Sequence, residues 1–394
     1  METGRKKSRL GSSASRLAVA LAFGWVAANA ATAQTIEELN ARVTQLEKNA
    51  QSGTLHTTHG VDLTFYGFVR ADMYTDSKYD MGNNSLGFSN VNSLTEENAK
   101  FGAHAYQTRF GVRGSFDTVH GEAKFNFEGD FYGGGGGSFR IRQAYGELAG
   151  FVLGQTWSNA AALNPATMLD FDGVMGGPGY RTIQGRYTAK LSDNLAASFS
   201  IEDDPLSWKA RPVITGALTY TLGEDTYKFA AMSRGIDDLN GNNVNTWNVV
   251  ASASVGLWEG GKLNGVISTG KGYSSIVKGG AGIGQQAGQA VAKSSYDLDA
   301  NGDPIGLTAY AVGISHTFSP KFTMGFSVGL NDYDDFAGST EISADDLTGA
   351  ILTARYTPSE RVLLGLEYQR FERKEFGGAK LHNDRLLAVA QFNF

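Results

Sequence analysis

The sequence predicts an all-β transmembrane protein: a 16-stranded antiparallel outer-membrane β-barrel with a short N-terminal coiled-coil helix. Three observations predict this class. A secretory signal opens the chain, side-chain character alternates with a period of two from residue 62 onward, and no later apolar run reaches the ~18 residues of a membrane-spanning helix. The 394 residues include 51 Gly, 23 Phe and no Cys, which excludes a disulfide framework and a cysteine nucleophile.

Residues 1–33 have the pattern of a signal peptide. Basic residues between Arg5 and Arg16 precede the apolar stretch 17–28, and Ala31-Thr32-Ala33 is an A-x-A cleavage site. The alternative, a buried N-terminal helix, would leave five cations stranded beside it. Cleavage lowers Lys and Arg from 34 to 29 and Asp and Glu from 40 to 39, so the expected mature chain carries a net charge of −10.

Residues 34–50 predict a periplasmic coiled-coil helix, and residues 51–61 a linker. Thr35 and Glu38 have the spacing of a capping box at the start of a helix. Apolar residues then follow a heptad over two repeats: Ile36, Leu39, Val43 and Leu46. A single amphipathic helix lying on a domain is the alternative, because two heptads are too short to be stable alone.

The barrel is predicted to occupy residues 62–394. In the first strand Phe65, Val69 and Met73 share one face, whereas Arg70 and Asp72 lie on the other. The same alternation recurs along Tyr106–Asp117 and Glu122–Phe131, and apolar residues facing lipid with polar residues facing water explain it. Thirteen more strands are predicted near 138–149, 150–156, 181–190, 193–203, 211–222, 225–235, 245–258, 261–271, 307–318, 321–332, 346–357, 361–372 and 383–394.

The connections between these strands are predicted to alternate between short turns and longer loops. Short turns lie at Thr118-Val119, Gly223-Glu224 and Pro358-Ser359-Glu360, for example, whereas the longer loops include 77–104, 157–180 and 272–306. Such asymmetry is typical of barrels with periplasmic turns and extracellular loops, and the last strand ends on an aromatic residue, Phe394. The chain is therefore expected in the outer membrane of a Gram-negative bacterium, with its N-terminal helix in the periplasm.

Several short segments resemble one known family. The run Tyr66-Gly67-Phe68-Val69-Arg70, the segment Phe139–Tyr145, the run Gly154–Ser158 and the terminal Phe394 are similar to those of DcaP-like trimeric porins. The resemblance covers essentially the whole mature chain. It implies a sixteen-stranded homotrimer, an N-terminal periplasmic coiled coil and passage of small anions such as dicarboxylates.

Cationic residues on lumen-facing positions are the candidate site. Guanidinium groups match carboxylate oxygens in pairs, so a lumen lined by Arg favours anions. The alternative is that these residues pair with Glu122, Glu128, Asp130 and Glu367 and only stabilise the wall. The candidates are Arg70, Arg109, Arg113, Lys124, Arg140, Arg142, Arg186, Arg211, Lys228 and Arg385.

The loop 157–180 is the candidate constriction of the pore. It follows a predicted strand, and contains Trp157, Asp170, Asp172 and a glycine-rich stretch, with Arg181 at its foot. Arg109, Arg113, Arg140 and Arg142 are expected to form a basic ladder opposite this loop. Passive diffusion of small anionic solutes through a lumen narrowed by the loop is the predicted function. A general or sugar-preferring porin is one alternative, and a non-conducting barrel for adhesion or anchoring is another.

Acidic residues concentrate in the longer loops. These carboxylates could share divalent cations with lipopolysaccharide phosphates, although plain solubilising charge is the favoured explanation. Within loop 272–306, Asp297, Asp299, Asn301 and Asp303 match the start of a calcium loop, but Thr308 stands where a bidentate Glu is needed. Calcium is thus a possible ligand, with an Asp/Asn/Gly turn as the alternative; no other cofactor is expected.

Enzymes and nucleic-acid binders are disfavoured. The sequence has no G-x-S-x-G, H-E-x-x-H or phosphate-cradling loop with its Lys-Ser/Thr, and its six His are scattered. A net charge of −10 also argues against nucleic acid.

Overall fold

The computed structural model describes residues 36–37, 39–40, 43–44, 54–57, 60–163, 168–170, 173–204, 209–238, 240–280 and 297–394. The chain divides into two units, Met1–Thr54 and Leu55–Phe394. In the first unit the six described residues before Thr54 are helical, and Ile36, Leu39 and Val43 are exposed. The predicted signal peptide and the rest of the 34–50 helix lie outside the described residues, and the coiled coil stays a prediction.

The second unit is built almost entirely of strands. Two short 3-10 helices, Ser85–Asn90 and Ser274–Ile276, lie in its loops. Among the described residues, no helix is long and apolar enough to cross a membrane. The strands are β1 Thr54–His56, β2 Asp62–Asp76, β3 Lys100–His104, β4 Arg109–Thr118, β5 Gly121–Gly133, β6 Ser138–Leu148, β7 Phe151–Trp157, β8 Arg181–Lys190, β9 Leu195–Glu202, β10 Lys209–Leu222, β11 Asp225–Asp237, β12 Asn243–Trp258, β13 Gly261–Lys271, β14 Gly306–Ser319, β15 Phe322–Tyr333, β16 Ala344–Ser359, β17 Val362–Glu375 and β18 Lys380–Asn393.

These strands close into the predicted 16-stranded antiparallel barrel. Each strand pairs with its sequence neighbour, and β18 closes the ring by pairing with β2. β3 and β4 count as one barrel strand, because β3 pairs with residues 72–76 of β2 and β4 with residues 62–68. The three-residue β1 is not counted in the ring, which runs from β2 to β18, so the 18 strands give 16 barrel strands. Backbone polar groups are then satisfied around the ring, which is the condition for crossing a bilayer with strands.

One strand starts earlier than the alternation predicts. Residues 77–104 are predicted to form a loop, yet Lys100–His104 is a strand. The strand is then interrupted at 105–108 before β4 begins. A turn closed by the Thr108 amide and the Ala105 carbonyl makes this break. The turn interrupts the period of two, so the alternation that begins at Tyr106 does not extend back to Lys100–His104, the first part of this barrel strand.

The outer and inner faces of the wall follow the predicted alternation. In β2, Phe65 and Val69 are 59% and 55% exposed, whereas Arg70 and Asp72 are only 6% and 1% exposed. The outward side chains are apolar around the barrel, which suits a lipid-facing surface.

The interior is less polar than a water-filled lumen would require. Inward-facing Val213, Met232, Leu307 and Leu347 belong to one apolar cluster that also includes Val174, Met175 and Phe88 from the loops. The wall from β10 to β17 is therefore packed against loops that enter the barrel. The side formed by β2 to β9 carries most of the inward charges, and the candidate site lies there.

Candidate functional site

The connection between β7 and β8, residues 158–180, enters the barrel and reaches the opposite wall; we call it the lumen loop. A Cβ on Gly176 would lie 2.4 Å from the Tyr310 carbonyl oxygen, and one on Gly329 would lie 1.9 Å from that of Met175. Because β14 and β15 lie across the ring from β7, the loop spans the lumen. These positions accept no side chain, which explains glycine at both.

Both ends of the lumen loop are held by one buried carboxylate, Glu202 of β9. Its Oε1 accepts the Asn159 amide at 2.8 Å and its Oε2 accepts the Tyr180 hydroxyl at 3.2 Å. Burial, followed by the charge of Glu202, raises the pKa of Tyr180, so the hydroxyl stays protonated as a donor. The loop therefore leaves and rejoins the wall at fixed points.

Five of the predicted arginines meet in a single pocket. This cavity of about 440 Å³ lies between the β2–β8 wall and the lumen loop. Asp170 of the lumen loop and the Trp157 ring also line it. We call it the arginine pocket, and its cationic side chains are Arg70, Arg109, Arg140, Arg142, Arg181 and Lys278.

Four of these arginines are paired with acids of the wall. Arg140 and Arg142 share Asp130, each with an N–O distance of 2.8 Å. Arg142 also contacts Glu128 at 2.8 Å, and Arg109 lies 3.6 Å from the same carboxylate. The predicted alternative, wall pairing through Glu128 and Asp130, is thus present in the structure.

Arg70 forms the fourth pair, with Asp72. Its Nη2 lies 2.6 Å from Oδ1 and also donates to the Leu169 carbonyl at 2.5 Å. With Asp72, Glu128, Asp130 and Asp170, the pocket group holds four carboxylates against six cations. Among the described residues, this group therefore has more cations than carboxylates.

Arg181 differs from its neighbours because it forms no ion pair with the described acids, although Asp130 and the cations Arg109, Arg140 and Arg142 lie nearby. Its guanidinium stacks on the Trp157 ring, 4.4 Å from the ring centroid. Within the described residues the buried Nη1 has no hydrogen-bond partner. Like charges nearby and an unused donor make this guanidinium the best placed to accept an anion.

Lys278 is the pocket residue that the sequence analysis missed. Residues 276–279 pair with the lumen loop: the Lys278 amide donates to the Gly177 carbonyl at 3.1 Å, and Gly179 donates to the Ile276 carbonyl at 3.2 Å. Nothing in the local pattern of a long loop predicts that it enters the barrel. A lone Lys amid Gly and Ser was the only available signal.

Other predicted cations lie outside the pocket. Arg113 is exposed above the Tyr66 ring, and Lys124 pairs with Glu122 on an exposed surface. Lys228 donates to the Ala161 carbonyl of the lumen loop at 2.7 Å. Arg186 lies near enough to Lys228 for the two positive charges to repel each other. Of the four residues of the predicted ladder, Arg109, Arg140 and Arg142 come together and Arg113 does not.

Arg385 and Arg211 complete the set of predicted cations. Arg385 donates two hydrogen bonds of 2.7 Å to the Asp76 carboxylate and so stabilises the barrel wall. Arg211 does not face the lumen: it bonds Ser233 and Asn245, which lie on the outer side of β11 and β12. Register shifts on both sides of Arg211 in β10 reverse the alternation there, so the expectation for this residue is corrected.

The remaining acids of the loops have structural partners. Asp170 accepts the Ser85 amide at 3.1 Å and the Gln369 Nε2 at 3.2 Å. The predicted constriction residue Asp172 lies outside the described residues. Glu367 pairs with no arginine of the wall among the described residues and instead accepts the amides of Leu169 and Asp170.

The run from Asp297 to Asp303 does not form the predicted calcium loop. Asp297 is buried against Arg234 at 3.3 Å and accepts the Ser275 amide and hydroxyl. Asp299 accepts the amides of Asn301 and Asp303, as in the alternative Asx turn. Within the described part of the chain no three acidic or His side chains are grouped to hold a metal.

Comparisons with known proteins agree with this geometry. Residues 32–202 match the family model of the DcaP outer membrane protein, so the resemblance seen in the sequence is confirmed there. The outer membrane channel DcaP of Acinetobacter baumannii is 24% identical, covers 86% of this chain and 99% of its own, and has a TM-score of 0.74. No curated protein matches significantly.

Two further solved structures share the fold at lower identity. The anion-selective porin from Comamonas acidovorans is 15% identical over 85% of this chain and 100% of its own, with a TM-score of 0.58. OmpT of Vibrio cholerae, folded in vitro and described as a trimer form, is 11% identical over 85% and 100%, with a TM-score of 0.52. At these identities the likeness establishes the barrel fold.

Proposed function

We infer that this chain is an outer-membrane porin, a non-enzymatic channel, because residues 32–202 match the DcaP outer membrane protein family and the closed barrel has the porin fold. From that premise we propose that small anionic solutes, dicarboxylates among them, diffuse passively through the arginine pocket. The chain is proposed to form a homotrimer in contact with lipopolysaccharide and other outer-membrane lipid.

The single observation that carries this proposal is the unbalanced charge of the arginine pocket. Among the described residues, six cations of this group accompany four carboxylates, and the Arg181 Nη1 has no hydrogen-bond partner. An anion with two carboxylates can contact more than one guanidinium at once, whereas a cation meets net repulsion. The solved porin from Comamonas acidovorans, which shares the fold, is described as anion-selective.

The other candidate functions make different demands on the lumen. A sugar-preferring channel needs open aromatic faces, but in this pocket Arg181 covers Trp157 and Arg109 covers Phe68. A non-conducting barrel for adhesion or anchoring needs no excess charge inside. The pocket therefore favours anion passage.

The test is the reversal potential of the refolded protein in a planar bilayer under a salt gradient. We expect anion selectivity that a double variant, Arg140→Ser with Arg142→Ser, lowers about thirtyfold, since each of the two charges removed changes the energy of a nearby anion by on the order of 1 kcal/mol. Arg370→Ser is the matched control, because Arg370 pairs with Glu372 on the exposed side of β17.

Either of two outcomes contradicts the proposal. Cation selectivity of the unmodified channel would agree with a porin but would contradict the proposal that the arginine pocket selects anions. Silence across many insertions, with the barrel folded, would favour adhesion or anchoring.

A further inference from the structure

The inward face of β17 carries an unusual set of side chains where the lumen loop meets it. Leu363, Gly365, Glu367 and Gln369 alternate along the strand and point into the barrel, and all four are buried. The loop segment Met168–Asp170 lies against them. We call these four residues the β17 cradle.

Glu367 is the centre of the cradle. Its Oε2 accepts the Leu169 amide at 2.6 Å and the Thr353 hydroxyl at 2.7 Å. Its Oε1 accepts the Asp170 amide at 3.1 Å and the Gln369 Nε2 at 2.7 Å. The carboxylate thus has four donors and, among the described residues, no ion pair. A buried charge is stable in this form only while the loop supplies its two amides.

Apolar contacts fix the same segment. The Leu169 side chain is buried with Leu363, Leu387, Val389 and Tyr74, all of which face inward. A Cβ on Gly365 would lie 2.3 Å from the Leu169 Cδ1, so any larger residue there would force the Leu169 side chain to shift. The β17 cradle therefore holds the loop segment both by apolar packing around Leu169 and by the hydrogen bonds of Glu367.

We infer that the β17 cradle is the docking site of the lumen loop and that Glu367 is the positioning residue that sets the aperture of the channel. The docked segment also accepts the Arg70 Nη2 at the Leu169 carbonyl and holds Asp170 at the edge of the arginine pocket. Release of the segment widens the passage and removes one carboxylate from the pocket. The effect on selectivity rests on the proposed function, but the docking does not.

Glu367→Gln tests the anchor with little change in volume. A carboxamide presents one NH2 group, and in either orientation that group faces a backbone amide donor, Leu169 or Asp170. We expect a larger single-channel conductance and more frequent transitions between conductance levels. Glu372→Gln is the matched control on the same strand, because that carboxylate is 55% exposed and pairs with Arg370.

A cysteine probe measures docking independently of solute flow. The chain has no Cys, so Val174→Cys introduces a single thiol in the lumen loop at a side chain that is 1% exposed. Adding Glu367→Gln should raise the rate at which a small water-soluble thiol reagent labels it by roughly tenfold, because labelling of a buried thiol follows the open population. Adding Glu372→Gln should leave the rate unchanged.

Gly365→Ala provides a second route to the same state, because its methyl group displaces Leu169 without touching the carboxylate. Increased conductance and faster labelling in both Glu367→Gln and Gly365→Ala would support the inference. Wild-type conductance and labelling in Glu367→Gln, with the barrel folded on a heat-modifiability gel, would overturn it. If docking is supported but the unmodified channel shows no anion selectivity, the proposed function fails and the docking site stands.

Discussion

At the scale of single residues, Asp130 decides how many charges the arginine pocket can hold. Its side chain is fully buried and contacts both Arg140 and Arg142. A buried carboxylate between two guanidiniums offsets the repulsion that the two cations would otherwise exert on each other. The pocket therefore needs this acid for its stability even though the acid lowers the positive charge available to a solute.

Asp130→Asn should separate these two effects. We expect the free energy of unfolding to fall by about 3 kcal/mol, since the change takes this carboxylate from Arg140 and leaves the buried Arg142 with Glu128. Anion selectivity of the channels that do fold should rise. Urea unfolding in lipid vesicles, followed by tryptophan fluorescence, and the reversal potential measure the two quantities. Glu122→Gln, at an exposed partner of Lys124, should leave the free energy of unfolding almost unchanged. Equal losses in both variants would contradict the explanation.

Arg181 is the residue through which the pocket should bind a solute most directly. Its guanidinium stacks on Trp157, and its Nη1 lacks a partner within the described residues. Arg181→Gln should raise the concentration of succinate that halves the chloride current by roughly tenfold, the loss of one charge-assisted hydrogen bond. Arg370→Gln on the outer side serves as control. An unchanged half-blocking concentration would transfer the binding role to the paired arginines.

At the scale of elements, two of the longer loops depend on each other through Arg234 of β11. This fully buried guanidinium contacts Asp204 at 2.8 Å, Asp297 at 3.3 Å and the Gly272 carbonyl at 3.0 Å. It therefore ties the end of β9 to both ends of the connection between β13 and β14. That connection also carries Lys278 into the arginine pocket.

Arg234→Met should loosen this connection, because two buried carboxylates lose their shared cation. We expect trypsin to cut faster after Lys271 or Lys278, as identified by mass spectrometry, and the block of current by succinate to weaken. Arg361→Met, at an exposed turn, removes the same charge and should leave both results unchanged. A cleavage rate equal to that of the parent protein would show that the connection is held by its other contacts.

The elements also show what the sequence can predict and where it fails. Strand limits from β6 to β18 agree with the alternation to within about three residues, because lipid on one side and buried polar groups on the other impose a period of two. The early start of β3 and the outward position of Arg211 were missed, since a turn and a register shift break that period. Glu367 was named only in the alternative, as an acid available to pair with the wall arginines. Its role depends on a loop that crosses the barrel, which the local pattern does not encode.

At the scale of the whole molecule, the net charge of the chain and the charge of the arginine pocket differ in sign. The expected mature chain carries −10, yet the described residues of the arginine pocket and their partners include more cations than carboxylates. Many of the acids lie in the longer loops and on exposed surfaces, where salt screens them over roughly 8 Å at physiological ionic strength. A solute inside the barrel is surrounded by the pocket, so we expect the local charge to set selectivity.

This reasoning predicts how selectivity depends on salt. The ratio of anion to cation permeability should be greatest near 0.01 M salt, where the screening length is about 30 Å, and should fall toward that of free diffusion near 1 M, where it is about 3 Å. Reversal potentials at a fixed salt ratio and rising mean concentration measure this. The Arg140→Ser, Arg142→Ser double variant should show a weaker dependence. If the ratio stays constant over this range, selectivity comes from direct contacts at the pocket and not from its field. If it reverses to favour cations at low salt, the surface acids dominate and the charge of the pocket does not control entry.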